Sequence, residues 1–184
     1  MQVEQIVPDV LDELPKETLE VSIERFIAWI VNCFPLFCTE LKVKYSPELQ
    51  VNNGNILTPA QVKDAPSTIS WPAQDGSLYT LLMVDPDAPS RRIPFLREIN
   101  HWLVVNIKGN DISSGNTILP YRGSGPPILT GLHRYIFLIF KQESRLPIPL
   151  DVNRWGFKTR KFIETHKLGH PIAGNFFQSQ FTRR

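Results

Sequence analysis

The chain is short of cysteine. Cys33 and Cys38 are the only two in 184 residues, too few for a disulfide framework or a zinc site, so a reduced interior is expected. Net charge is also small: 20 basic and 18 acidic side chains leave +2. The one basic cluster, around Lys158 to Lys161 with Arg183 and Arg184, reads as a solvated face, and no nucleic-acid partner is expected. No apolar run is long enough for a transmembrane segment; the most apolar one, Ile23 to Phe37, is too short and is broken by Glu24, Arg25 and Asn32. The first twenty residues are acidic (Glu4, Asp9, Asp12, Glu13, Glu17, Glu20), where a secretory signal needs a basic and then an apolar start, and a cytoplasmic location is therefore expected. There is no Walker motif, and Ser124 sits in Gly-Ser-Gly rather than in a strand-turn-helix G-x-S-x-G.

What is present is mostly strand grammar. Leu41, Val43 and Tyr45 alternate with Lys42 and Lys44, which predicts a half-buried strand ended by Pro47. Asn53-Gly54, flanked by Val51 and Ile56, predicts a short hairpin. Thr58-Pro59 predicts an N-cap and one turn of helix over residues 60–64. Ser67–Trp71 is a further strand candidate. Leu78–Val84, His101–Ile107 and Tyr135–Phe140 are continuously apolar, as strands buried on both faces are. Residues 112–133 carry little periodicity and read as a long functional loop. Thr159–Leu168 reads as a helix closed by Gly169. Upstream, Ile23, Phe26, Ile27, Ile30, Val31 and Phe34 fit a helical stripe; it serves either as a helix packed on the core or as one that binds a membrane surface or a partner. Many strands and few helices predict a mainly β fold, a sandwich with peripheral helices, in a single domain over residues 1–184 and a monomer.

Two stretches carry the chemistry. Asp85 to Trp102 (DPDAPSRRIPFLREINHW) sets Asp85 and Asp87 around a proline after one apolar run and brings in His101 where the next begins. Gly123 to Tyr135 (GSGPPILTGLHRY) supplies His133 and Tyr135, two apart and hence on one face of a strand. Arg134 then faces the other way, toward solvent or a structural salt bridge. Gly123 and Gly125 let backbone N–H groups approach an anion. Protonated His101 and His133 add charge, Tyr135 adds a neutral donor, and Asp85 is expected to orient His101 and favour its imidazolium. Pro86, Pro89, Pro126 and Pro127 stiffen the walls. These groups suit an anion-binding module with no catalytic residue, metal or cofactor; the alternative is a hydrolase using an Asp/His acid–base or metal site.

DPDAPSR, the His-Trp that opens the following strand, and GSGPP followed by GLHRY resemble the signature regions of the phosphatidylethanolamine-binding protein family, also called Raf kinase inhibitor proteins. LTPAQVKD, VVNIKGNDISSG and HPIAGNFFQ extend the likeness over nearly all of residues 41–180. The resemblance implies two antiparallel sheets packed face to face, a cis peptide before Pro89, and a small pocket for phosphate-like anions at Asp85, Ala88, Pro89, His101, Gly123, Gly125, Pro127, His133 and Tyr135, with Asp87 beside them. It further implies phospholipid headgroups, nucleotides or phosphorylated side chains as ligands, and protein kinases or serine proteases as partners. Residues 19–40 have no counterpart in the family and read as an apolar insertion.

Overall fold

The structure, a computed structural model, describes residues 39–93, 96–148 and 151–183. The helical stripe expected over residues 23–34 and both cysteines lie outside them. From Thr39 onward the chain forms one compact unit. Three long strands make its centre: β6 (Leu78–Asp85), β7 (Ile99–Lys108) and β9 (His133–Gln142), with β6 hydrogen-bonded antiparallel between the other two. They belong to a seven-stranded sheet in the order β1 (Thr39–Glu40), β10 (Ala173–Ser179), β9, β6, β7, β8 (Asn116–Leu119), with β4 (Asn55–Ile56) also on β10. A three-stranded sheet, β3 (Leu49–Gln50), β2 (Lys42–Ser46), β5 (Thr68–Ser70), packs on one face of the larger one.

The absence of alternation in LYTLLMV and YIFLIF has a direct cause. Tyr79, Leu81, Met83, Phe137 and Ile139 face the small sheet and join Val43, Ile69 and Trp71 in one core. Leu82, Val84, Ile136 and Leu138, which alternate with them, are buried as well. Both faces are covered, so both sets of positions are apolar. The mainly β, two-sheet expectation therefore holds, with one refinement: β1 and β4 run parallel to β10, while the other pairings are antiparallel.

Several local expectations are corrected. Asn53-Gly54 does turn the chain, but its flanks do not pair with each other: β3 goes to β2 and β4 to β10, so the turn passes the chain from one sheet to the other. After Thr58 there is a single capped turn, with Gln61 N–H on the Thr58 carbonyl, rather than a helix. The long loop expected after residue 112 contains a short 3-10 turn (Ile112–Ser114) and strand β8. The helix α1 spans Thr159–Thr165, shorter than expected. Of the expected insertion, Thr39 and Glu40 lie among the described residues; they form β1 beside Ala173 and Gly174 and belong to the sheet.

Candidate functional site

The ends of β6, β7 and β9 gather the polar residues because of a bulge. Met83 pairs with Trp102 and Val84 with Asn100, so β7 has one residue more than β6 at this point, and the extra one is His101. Such bulges re-aim a side chain without ending the strand. The His101 ring packs edge-on against Tyr135, 5.0 Å between centroids, and Tyr135 stacks on Phe177 at 5.0 Å. The Gly-rich stretch is hooked onto the same strand twice: His101 Nδ1 lies 2.8 Å from the Arg122 carbonyl, and Arg122 N–H donates to the His101 carbonyl at 2.9 Å. A carbonyl only accepts, so Nδ1 carries the hydrogen and Nε2 is left to act alone. That Nε2 is buried and has no hydrogen-bond partner. Burial lowers the pKa of His101, outweighing the Arg122 carbonyl and the Asp85 charge, so the ring is neutral near pH 7 rather than the imidazolium expected.

Asp85 does not hold His101. Its Oδ2 is 2.9 Å from His133 Nδ1 and its Oδ1 accepts the Asp87 N–H at 2.7 Å. Both ring nitrogens of His133 are occupied, since Nε2 meets Thr130 Oγ1 at 3.0 Å. The Thr130 hydroxyl also meets the Pro127 carbonyl at 2.8 Å, and Nδ1, facing the carboxylate, donates to it. The contact is a histidine–carboxylate pair, both side chains buried. It pins the loop from Pro127 to Thr130 against β6, and His133 is a support for the site with no donor left over.

Asp87 is likewise committed. Arg134 grips it bidentately at 2.6 and 2.9 Å and adds its backbone N–H at 2.8 Å, while Arg91 Nε approaches at 3.1 Å. Burial alone would raise the Asp87 carboxyl, but Arg134 and then Arg91 outweigh it and hold it below the usual carboxylate range. Arg134 makes the structural salt bridge expected of it. Ala88 is buried and its bond to Pro89 is cis, as the resemblance implied. The two glycines differ: a Cβ on Gly123 would lie 2.4 Å from the Val62 carbonyl oxygen, so packing requires glycine there, whereas at Gly125 nothing stands within 4 Å. Gly125 therefore keeps an open approach, and its backbone bonds to Tyr135, whose hydroxyl burial otherwise pushes far up.

The structure thus brings Asp85, His101, Gly125, Pro127, His133 and Tyr135 together, with Asp87, Ala88, Pro89 and Gly123 as their framing. Two contributors were not anticipated. Thr130 caps His133, and Arg154 donates from Nη1 to the carbonyls of Asn100 and His101 at 2.7 and 3.0 Å, holding the bulge. Neither sits in a pattern that spacing alone would single out. Ser124 Oγ donates to Ser179 Oγ at 3.0 Å. Among the described residues no three His, Cys, Asp or Glu side chains gather as a metal site, and no helix is long and apolar enough to cross a membrane. A cavity of about 770 Å³ lies at the other end of the strands, lined by Gly76, Ser77, Lys141 and Lys167, but none of the residues lining it has a buried unpartnered polar atom.

Comparison with known proteins gives one family. The profile of the phosphatidylethanolamine-binding proteins matches residues 44–177. The 26 kDa secreted antigen of Toxocara canis is 43% identical over 147 residues, which is 76% of this chain and 56% of that protein; the chain thus spans little more than half the length of this relative. The solution structure of CG7054 is 46% identical, covering 79% of this chain and 87% of that one, with a TM-score of 0.66. A phosphatidylethanolamine-binding protein from Plasmodium vivax is 25% identical, covering 88% and 97%, with a TM-score of 0.69. These names are those of a binding protein and an antigen, not of enzymes. A relative named as a secreted antigen overturns the cytoplasmic expectation.

Proposed function

The chain belongs to the phosphatidylethanolamine-binding protein family, and from that premise we propose that it is a non-enzymatic binding module for phosphate-containing anions. The observation that carries this is the buried, unpartnered Nε2 of His101, placed beside Tyr135 and near the open approach at Gly125. Leaving a buried polar atom unmade costs about 1–3 kcal/mol, and natural proteins tolerate that chiefly where something else completes the bond. The neutral imidazole takes up a proton when an anion arrives, and Nε2–H then donates to it. The Asp85–His133 pair behind supplies rigidity, not a contact. Phospholipid headgroups and free phosphate esters share this chemistry. Kinase or protease modulation, as the resemblance implies, belongs to the same reading as partner binding around an occupied pocket.

Calorimetry with glycerophosphoethanolamine and with inorganic phosphate tests the reading. Wild type should bind both weakly, and His101→Phe, which keeps the ring packing on Tyr135 but removes both nitrogens, should lose about ten- to a hundredfold in affinity, the 1.5–3 kcal/mol of a charge-assisted bond. Equal affinity in the two proteins, or no binding by a folded wild type, overturns it.

A further inference from the structure

Beside the pocket, the edge of β7 carries two cations that no salt bridge offsets. Arg122 hooks onto His101 through its backbone alone, N–H to carbonyl and carbonyl to Nδ1. Its side chain is exposed, and the guanidinium carbon lies 5.3 Å from the centre of the Trp155 ring. Trp155 is 47% exposed, and its backbone bridges to Ile99, further along the same edge. Stacking engages the face of a guanidinium and leaves its in-plane N–H donors available. Arg154 stands close by, fixed by the carbonyls of Asn100, His101 and Pro120. Both charges reach the pocket: after burial, which dominates, those that lower the His101 pKa belong to Arg154 and then Arg122. Residues 119–127 and 152–160 contain no Asp or Glu, and among the described residues Arg122 takes part in no salt bridge. Burial and the Arg122 charge lower the Arg154 pKa, and no carboxylate counters them. Of the carboxylates on neighbouring elements, Asp85 is engaged by His133, Glu98 is buried with its carboxyl pushed up by that burial, and Asp64 acts on Tyr121.

On the premise that His101 Nε2 receives the phosphate, we infer that Arg122 is the specificity-determining residue of the pocket and selects phosphate esters that also carry a carboxylate over those that carry an ammonium. A phosphate held at Nε2 places its substituent in the field of two guanidinium groups. An ammonium is repelled there. A carboxylate is attracted, and the unpaired fork of Arg122 suits it bidentately. Exchanging one substituent for the other changes the charge by two units, which through largely aqueous surroundings amounts to about a fivefold to tenfold difference in affinity. Trp155 fixes where the guanidinium stands and is a positioning residue. Arg154, with both Nη groups taken by backbone carbonyls, adds charge. The inference rests on the anion-site reading and goes beyond it by naming the second group of the ligand.

The test is calorimetry of the full chain at neutral pH with phosphoethanolamine and with phosphoglycolate, a phosphate ester of similar size that ends in a carboxylate. Wild type should prefer phosphoglycolate by about fivefold to tenfold, and the preference should shrink as salt rises. Arg122→Gln, at an exposed position whose backbone bonds do not need the side chain, should reduce the preference to about twofold or less. Arg122→Lys keeps the charge without the fork and should retain part of it, and Trp155→Ala should fall between wild type and Arg122→Gln. His101→Phe should weaken both ligands together, which separates the anion site from the residue that selects among its ligands. Equal affinity of wild type for the two esters, or the same preference in wild type and Arg122→Gln, overturns the inference and leaves the anion site standing. Wild type that binds neither ester nor inorganic phosphate overturns both.

Discussion

Strand β7 is bulged twice, and the two bulges serve opposite ends of the sheet in opposite ways. Between Leu81–Val104 and Tyr79–Ile107 it again has one residue more than β6, which puts Asn106 at φ 61° into the interior. There Asn106 Nδ2 donates to Asn116 Oδ1 and to the Leu146 carbonyl, and its Oδ1 accepts from Gln142 Nε2 and Leu146 N–H. Gln142 is equally complete, since Oε1 accepts from Thr80 Oγ1 and Asn106 N–H while Nε2 also reaches the Ser144 carbonyl. Both amides use every donor and lone pair they have. At the His101 bulge ionisable groups gather, and His101 Nε2 and both side-chain polar atoms of Asn100 have no hydrogen-bond partner. The contrast teaches that a buried polar cluster by itself does not mark a site. A closed, neutral network holds a strand in register, whereas an unfilled valence beside charged groups marks a place that something else completes.

Mutations can break that contrast, and the largest effect is expected where stability and binding meet. Asp85→Ala leaves buried His133 Nδ1 and the Asp87 N–H without their partner and frees the loop at Thr130. It should cost about 3–5 kcal/mol of stability and abolish anion binding, read by denaturant unfolding and calorimetry; wild-type binding by a variant that has lost that stability would separate the loop from the site. At the closed end Gln142→Leu orphans the Thr80 hydroxyl, Asn106 and the Ser144 carbonyl, and should cost about 3 kcal/mol while binding stays as in wild type. Loss of binding in this variant would mean the two ends are coupled.

Asp87 sharpens the comparison through pH. Its folded pKa is depressed by Arg134, so its contribution is present above the unfolded value of about 3.9 and is lost as pH falls through the folded one. Asp87→Asn should therefore be less stable than wild type by about 1.5–3 kcal/mol at pH 7, with Arg91, 43% exposed, adding little because solvent screens it. The difference should narrow as acid protonates wild-type Asp87. Urea midpoints from pH 7 down to pH 2 check this, and a gap that widens in acid would contradict the assignment.

Much of this was readable from the sequence where one physical constraint dominates a segment. β6, β7 and β9 stand out because burial on both faces forces continuous apolar runs. β10 does not, since Asn175 and Gln178 interrupt it; Asn175 is nonetheless wholly buried, its amide donating to the Leu41 and Val51 carbonyls and accepting from the Asn53 and Phe176 N–H groups. Polarity satisfied by backbone from another sheet is invisible in a pattern of side chains. The site shows the same limit. Types and spacing drew attention to the two stretches of the candidate site, but not to their partners, because whether Asp85 meets a histidine on β9 or on β7 depends on a bulge that no local propensity encodes. Period two did turn Arg134 away from His133; that its partner there is Asp87 comes from the structure.

The central claim is that His101 Nε2 is the open valence, and proton counting tests it most directly. Glycerophosphoethanolamine is a phosphodiester that does not titrate near neutrality, so any proton taken up on binding comes to the protein. Burial depresses the pKa of free His101 below its ordinary value of about 6.5, and a bound anion raises it. Linkage then requires net proton uptake, and an affinity that falls as pH rises through the titration of the bound ring. Calorimetry in two buffers of different ionisation enthalpy, across pH 5 to 8, should record uptake approaching about one proton per site for wild type and none for His101→Gln. Binding by wild type without proton uptake, or the same uptake in His101→Gln, would contradict the account.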